Sequence, residues 1–152
     1  MERQDERWNI LMEHNRLLDT RLLVWEMLIC QLAHRDQVLD ERYARIMQFV
    51  REVLEQDLIR RSAIKEVQLY AQLEREAPQL RRLLGELYKE HEALFGKLEA
   101  IHRELSHATP ESAGVIRELG LGFTQALRAH MRREEQELIP AAAETLEYRA
   151  AS

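Results

Sequence analysis

Cysteine occurs once in this chain of 152 residues, at Cys30, so no disulfide can close within it. A lone, unpaired thiol fits a reducing compartment. Proline and glycine are scarce, while Leu, Ala, Glu, Arg and Gln dominate; this is the composition of a helical protein. No basic excess exists: the formal net charge is −5 with both signs interspersed, and nucleic-acid binding would call for a basic patch or stripe. Long apolar runs are missing too. The most apolar stretch, Leu22 to Cys30, is broken by Glu26 and falls far short of the roughly 20 residues that cross a bilayer. Met1 to Arg7 carries charges of both signs and lacks the apolar centre of a signal peptide. No Gly-rich phosphate loop precedes a helix, and no Ser or Cys is placed as an activated nucleophile. These absences lead to the expectation of one soluble, cytoplasmic domain over residues 1–152, with neither nucleic acid nor membrane as partner.

What is present is helical periodicity, with no strand-like alternation of any length. A first helix places Ile10, Leu11, Leu17, Leu18, Leu22, Trp25, Leu28, Ile29 and Leu32 at helical spacing and is expected to end near His34-Arg35-Asp36. A second runs from about Leu39 to Leu73, with Ile46, Phe49, Val50, Val53, Leu54, Leu58, Leu69 and Leu73 read as facing inward. Pro78 separates it from a third, because a residue before proline is pushed out of helical conformation. The third spans about Gln79 to His107, through Leu84, Leu87, Leu94, Leu98 and Ile101. Thr109-Pro110-Glu111 then restarts a helix: Thr caps well, Pro suits the first helical position, and Glu suits the positive end of the dipole. The fourth continues through Val115, Leu119, Phe123, Leu127 and Leu138. A kink or break is expected at Gly114, Gly120 and Gly122, an interruption at Pro140, and a last short turn over Ala141 to Tyr148. Four amphipathic helices with short connections specify an all-α, up-down-up-down four-helix bundle.

Three of these helices each direct one histidine at the interior. His14 lies among Ile10, Leu11, Leu17 and Leu18; His91 follows Leu87 and precedes Leu94 and Phe95; His130 follows Ala126 and Leu127. Glu134 stands four residues after His130, hence on the same helical face. An unpaired ring on an apolar stripe is costly. A lone core histidine is usually just a hydrogen-bonded core residue, but three with a carboxylate at ligand spacing make a candidate metal site: His14, His91, His130 and Glu134. Imidazole and carboxylate donors suit iron, zinc or manganese. Other features have plainer readings. His102 and His107 complement the end of the third helix dipole, Arg81-Arg82 and Arg132-Arg133 read as solvated faces, and Trp8, Trp25, Tyr70 and Tyr88 as packing residues. Glu99-x-x-His102 and Glu104-x-x-His107 imitate the ferritin-like carboxylate motif, which needs two helices and here has one.

These residues resemble the hemerythrin-like HHE cation-binding domain family. The resemblance covers nearly the whole chain and rests on Glu13-His14-Asn15 with Leu18, on Lys89-Glu90-His91-Glu92 with Leu94, and on the block from His130 to Pro140. It implies a bundle whose histidines and glutamates hold a pair of iron ions, serving oxygen binding, oxygen or iron sensing, or nitrosative-stress responses. A small diatomic molecule is the ligand it suggests.

The second helix departs from the pattern. The family repeats His-x-x-x-Glu-Glu there before an apolar pair and a proline. Aligning Leu69-Tyr70-Ala71 with Leu138-Ile139-Pro140 puts Arg61 at the histidine position and Lys65 at the glutamate position; only Glu66 survives, as the match to Glu135. Phe95 also stands where some members carry a second ligand in the third helix. A fixed positive charge beside a metal site repels the ion and competes for its carboxylate. Lys65 is expected to reach Glu134 in a buried ion pair, with Arg61 pairing with Asp57. Three outcomes remain open: two irons, a single ion on His14, His91, His130 and Glu134, or a metal-free bundle acting as an oligomer or protein-interaction module. The missing carboxylate of the second helix argues against an oxidase-like or repair enzyme.

Overall fold

The computed structural model describes residues 2–33 and 37–151. Four helical rods make up the described residues. The first is α1 (Glu2–Ala33); its expected end at His34-Arg35-Asp36 lies outside the described residues. The second is α2 (Glu41–Ile64), a π-helical turn (Lys65–Tyr70) and α3 (Ala71–Glu76) in unbroken succession. The third is α4 (Arg81–Ser106), and the fourth combines α5 (Ala113–Arg133), a second π turn (Glu134–Leu138) and α6 (Ile139–Ala151). Packing of α1 on α2 and α5, and of α4 on α2 and α5, closes the four-helix bundle. No helix is long and apolar enough to cross a membrane among the described residues.

Local chemistry explains where the rods begin. Asp40 caps α2, its carboxylate accepting from the Tyr43 amide at 2.7 Å. Thr109 and Ser112 form a reciprocal capping box around the short 3₁₀ turn that leads into α5. The glycines do not break α5. Gly120 is instead where α5 and α1 approach closely: a Cβ there would meet the Ile29 side chain and lie 3.2 Å from Trp25 Cζ2. Nor does Pro140 interrupt the last rod, which continues through α6. Proline lacks an amide hydrogen and clashes with the carbonyl four residues back; the wider π turn just before it relaxes that demand. The expected short final turn is therefore a 13-residue helix.

The inward stripe of α2 also differs from its periodic reading. Tyr43, Met47, Arg51, Leu54, Asp57 and Leu58 are buried, while Ile46 and Phe49 face outward, Phe49 at 67 % exposure. Arg51 tolerates burial by pairing with Glu55 and donating from Nε to the Gln48 side-chain oxygen, and its long stem covers apolar surface. Ile10 and Leu17 of α1 are likewise outside the core.

The hydrophobic core is in two parts. One is built around Leu22, Trp25, Met47, Leu98, Ile101 and Phe123, the other around Trp8, Leu11, Leu73, Leu84, Leu87 and Leu138. Between them, at the same level in every rod, lies a buried polar layer containing Asn15, Lys65, His91, His130 and Glu134.

Candidate metal centre

Each rod contributes to this layer where its apolar stripe is interrupted. On α1 the gap between Leu11 and Leu18 holds His14 and Asn15; on the second rod the gap between Leu58 and Leu69 holds Arg61, Ser62 and Lys65. On α4 His91 stands between Leu87 and Leu94, and on the fourth rod Glu134 stands between Met131 and Leu138. The two π turns begin on Lys65 and Glu134, the residues that the alignment of the two half-motifs placed opposite one another. In both, the amide after the turn bonds five residues back, Ala71 to the Glu66 carbonyl and Ile139 to the Glu134 carbonyl. Such turns inside α-helices recur at functional sites.

Glu134 is the centre of the layer, fully buried. Its Oε1 is 2.9 Å from Lys65 Nζ and 3.6 Å from His130 Nε2, and its Oε2 accepts from the Tyr70 hydroxyl. Lys65 Nζ also donates to Asn15 Oδ1 at 2.6 Å. Two further carboxylates address the imidazoles from outside. Glu66 Oε1 is 2.6 Å from His91 Nδ1, and Glu90 Oε1 is 3.3 Å from His130 Nδ1. Arg133 holds Glu90 in turn, at 2.9 Å, and Glu86 at 2.7 Å. It is thus a clamp between α5 and α4 and not the solvated cation that its neighbourhood in sequence suggests. The rings of His91 and His130 lie 4.4 Å apart, and Tyr70 stacks on His91.

The charges follow from this arrangement. Burial disfavours a proton on His130 and pushes its pKa down to about 3, so the ring is neutral. Burial alone would raise the Glu134 carboxyl, but the Lys65 ammonium and the Tyr70 hydroxyl, among other neighbours, outweigh it and hold the group below the usual carboxylate range. Tyr70 is raised by burial and by the adjoining carboxylate, and stays a donor. His14 is lowered by burial, helped by Arg61 and Lys65.

Donors for a cation are present. One ligating atom each from His91, His130 and Glu134 lie within 4.8 Å of one another. Two ligands about 2.1 Å from an ion sit roughly 3.4 Å apart in a tetrahedral shell, close to the 3.6 Å between His130 Nε2 and Glu134 Oε1. That nitrogen is buried and has no hydrogen-bond partner among the described residues. Compared with known proteins, the chain matches the Hemerythrin HHE cation binding domain over residues 8–142. It belongs to that family. No individual curated protein and no solved structure matches it.

Of the four ligands read from the sequence of this hemerythrin-like domain, three converge and His14 does not join them. His14 lines a cavity of about 150 Å³ between α1 and the second rod, with Leu11, Ile64, Lys65 and Gln68, and its buried Nδ1 has no hydrogen-bond partner among the described residues. Arg61 is turned aside as expected, 3.0 Å from Asp57, which Arg21 also approaches. Lys65 does form the expected buried pair with Glu134. Sequence reasoning missed Tyr70, taken for a packing residue, and the orienting roles of Glu66 and Glu90. The trace of the latter was their place in the motifs, Glu66 as the match to Glu135 and Glu90 next to His91.

Proposed function

We propose that this domain holds a single divalent metal ion on His91, His130 and Glu134, with iron the foremost choice, and that it binds or senses a small ligand without catalysing a reaction. The observation that carries the proposal is the orientation of His130. Its Nδ1 is engaged by a carboxylate, Glu90, while its buried Nε2 has no hydrogen-bond partner among the described residues and faces Glu134. Carboxylates behind ligating imidazoles fix tautomer and ring direction and raise basicity; Glu66 has the same relation to His91. Imidazole and carboxylate donors suit iron, zinc and manganese. An ion held by three protein donors has coordination positions left for a small molecule, of which oxygen and nitric oxide are the ones that the family suggests.

The donors fit one ion and not two. Where the second helix of the family pattern has a histidine and a glutamate, this chain has Arg61, paired with Asp57, and Lys65, which is 4 % exposed and whose ammonium is already on Glu134. The competing reading is a metal-free bundle that acts through its surface. It is favoured by the mutual satisfaction of Lys65, Asn15, Tyr70 and Glu134, and by exposed apolar side chains such as Phe49 and Val67.

The test is metal content. Protein loaded anaerobically with Fe(II), or with Zn(II), should carry one ion per chain, and His91→Ala should carry none while keeping its fold by circular dichroism. Two ions per chain, or none, would overturn the single-site reading.

A further inference from the structure

We infer that Lys65 is a built-in competitor for the cation site, and that an ion enters only as the lysine ammonium leaves Glu134 for the cavity beside His14. The inference rests on the reading that His91, His130 and Glu134 hold the ion. Its basis is that one oxygen serves both claimants. Glu134 Oε1 is the atom 2.9 Å from Lys65 Nζ and also the atom nearest His130 Nε2, at 3.6 Å. An ammonium and a divalent ion sharing that oxygen would repel each other across a few ångströms in a buried layer, where screening is weak.

Lys65 has somewhere to go. It stands at the boundary of the polar layer and the cavity of about 150 Å³, so a rotation of its four-carbon stem carries the ammonium from one to the other. That volume exceeds several times the roughly 30 Å³ share of a liquid water. The cavity is lined by the amides of Gln68 and Gln72 and by His14, whose buried Nδ1 has no hydrogen-bond partner among the described residues. Lysine suits this exchange better than arginine because its charge is compact and its stem flexible. His14, which the ligand cluster leaves out, thus becomes the ammonium's alternative partner.

The layer then has two states. In one, the ammonium neutralises Glu134; in the other, the divalent ion takes its place, its second positive charge faced by Glu66 and Glu90 behind the imidazoles, and the lysine is displaced toward the surface between α1 and the second rod. Metal occupancy is thereby reported outside the site by the position of one side chain. The site also fills only above a metal concentration set by the strength of the internal pair.

Wild type and Lys65→Met can be compared for Zn(II) affinity by equilibrium dialysis, together with reductive methylation of Lys65 in the wild type, read by mass spectrometry with and without Zn(II). The substitution should tighten Zn(II) binding at least tenfold, and Zn(II) should raise methylation of Lys65 several-fold. Equal affinities, with Lys65 equally protected in both states, would overturn the inference and leave the site reading intact. No Zn(II) bound by either protein would sink the site reading itself, and the inference with it. Should Lys65→Met fail to fold, the methylation of the wild type decides alone.

Discussion

Replacing Glu134 by Gln keeps the shape of the polar layer and removes one charge, which makes its effect calculable. The carboxylate is fully buried and its Oε1 is 2.9 Å from Lys65 Nζ. At an effective dielectric of 20 the Coulomb attraction over that distance is about 6 kcal/mol, most of it offset by the cost of desolvating two ions. What remains after the substitution is a buried ammonium without a counter-ion, and breaking such a pair costs about 3–5 kcal/mol. Asn15 Oδ1 still accepts from Lys65 at 2.6 Å, which argues for the lower end, about 3 kcal/mol. In a chain of this length that corresponds to a fall in Tm of roughly 6–12 °C. The double variant Lys65→Met/Glu134→Gln should recover part of the loss, because the buried ammonium without a counter-ion is gone. Urea denaturation of the metal-free wild type, the two single variants and the double variant closes the cycle. A coupling energy below about 0.5 kcal/mol, the ordinary scatter for independent sites, would refute the pair as the organiser of this layer.

Two further outcomes concern the same protein without metal. Folding lowers the His130 pKa to about 3, from an unfolded value near 6.5, so the unfolded chain binds the extra proton as pH falls below the latter. Stability should therefore decline on acidification from about pH 6.5 toward 3, with a slope of up to about 1.4 kcal/mol per unit from this ring, and below the ordinary carboxylate range Glu134 adds to the loss. In His130→Asn the decline above pH 5 should shrink, as seen by urea titrations at several pH values; an unchanged slope would place the titration elsewhere. At the helix crossing, Gly120→Ala gains about 1 kcal/mol of helix propensity but forces Ile29 and Trp25 aside, at about 1–3 kcal/mol. A net destabilisation is expected, relieved by Ile29→Val, which lacks the clashing Cδ1; a stabilised Gly120→Ala would show that the crossing has slack.

The fold was legible because each rod carries an apolar stripe and each boundary carries local chemistry. Thr109 acts on a turn three residues away and Pro78 on the residue before it, so their effects needed no tertiary knowledge. The replacement of two ligand positions was legible for a similar reason: Arg61 and Lys65 fall at fixed offsets from Leu69, Asp57 lies one turn before Arg61, and Glu134 is the residue that the motif alignment sets against Lys65. The misreadings share a cause too. Periodicity counts Ile46 and Phe49 as inward, but Arg51 and Asp57 occupy the buried face because each has a partner. Tyr70 looks like any aromatic until its hydroxyl meets Glu134. Pro140 looks like a stop, since nothing in the order of residues announces a π turn. Side-chain pairing, within a helix for Arg51 and Asp57 and across the bundle for Tyr70, and a local change of helical winding before Pro140 decided these cases, and a single chain of letters displays neither.

The division of the core by a charged layer also bears on how the rods find their heights. An apolar stripe repeats along a helix, so by itself it would let one rod slide a turn, about 5.4 Å, and still meet hydrophobic neighbours. Here such a slip would drag Lys65 away from Glu134 and Asn15, and His91 away from Glu66, leaving charged and polar groups against leucines above or below. That penalty rises in every rod at once, because each contributes to the same level. The layer therefore acts as a vernier: with or without an ion, it sets the axial alignment of four helices whose remaining surfaces would accept several.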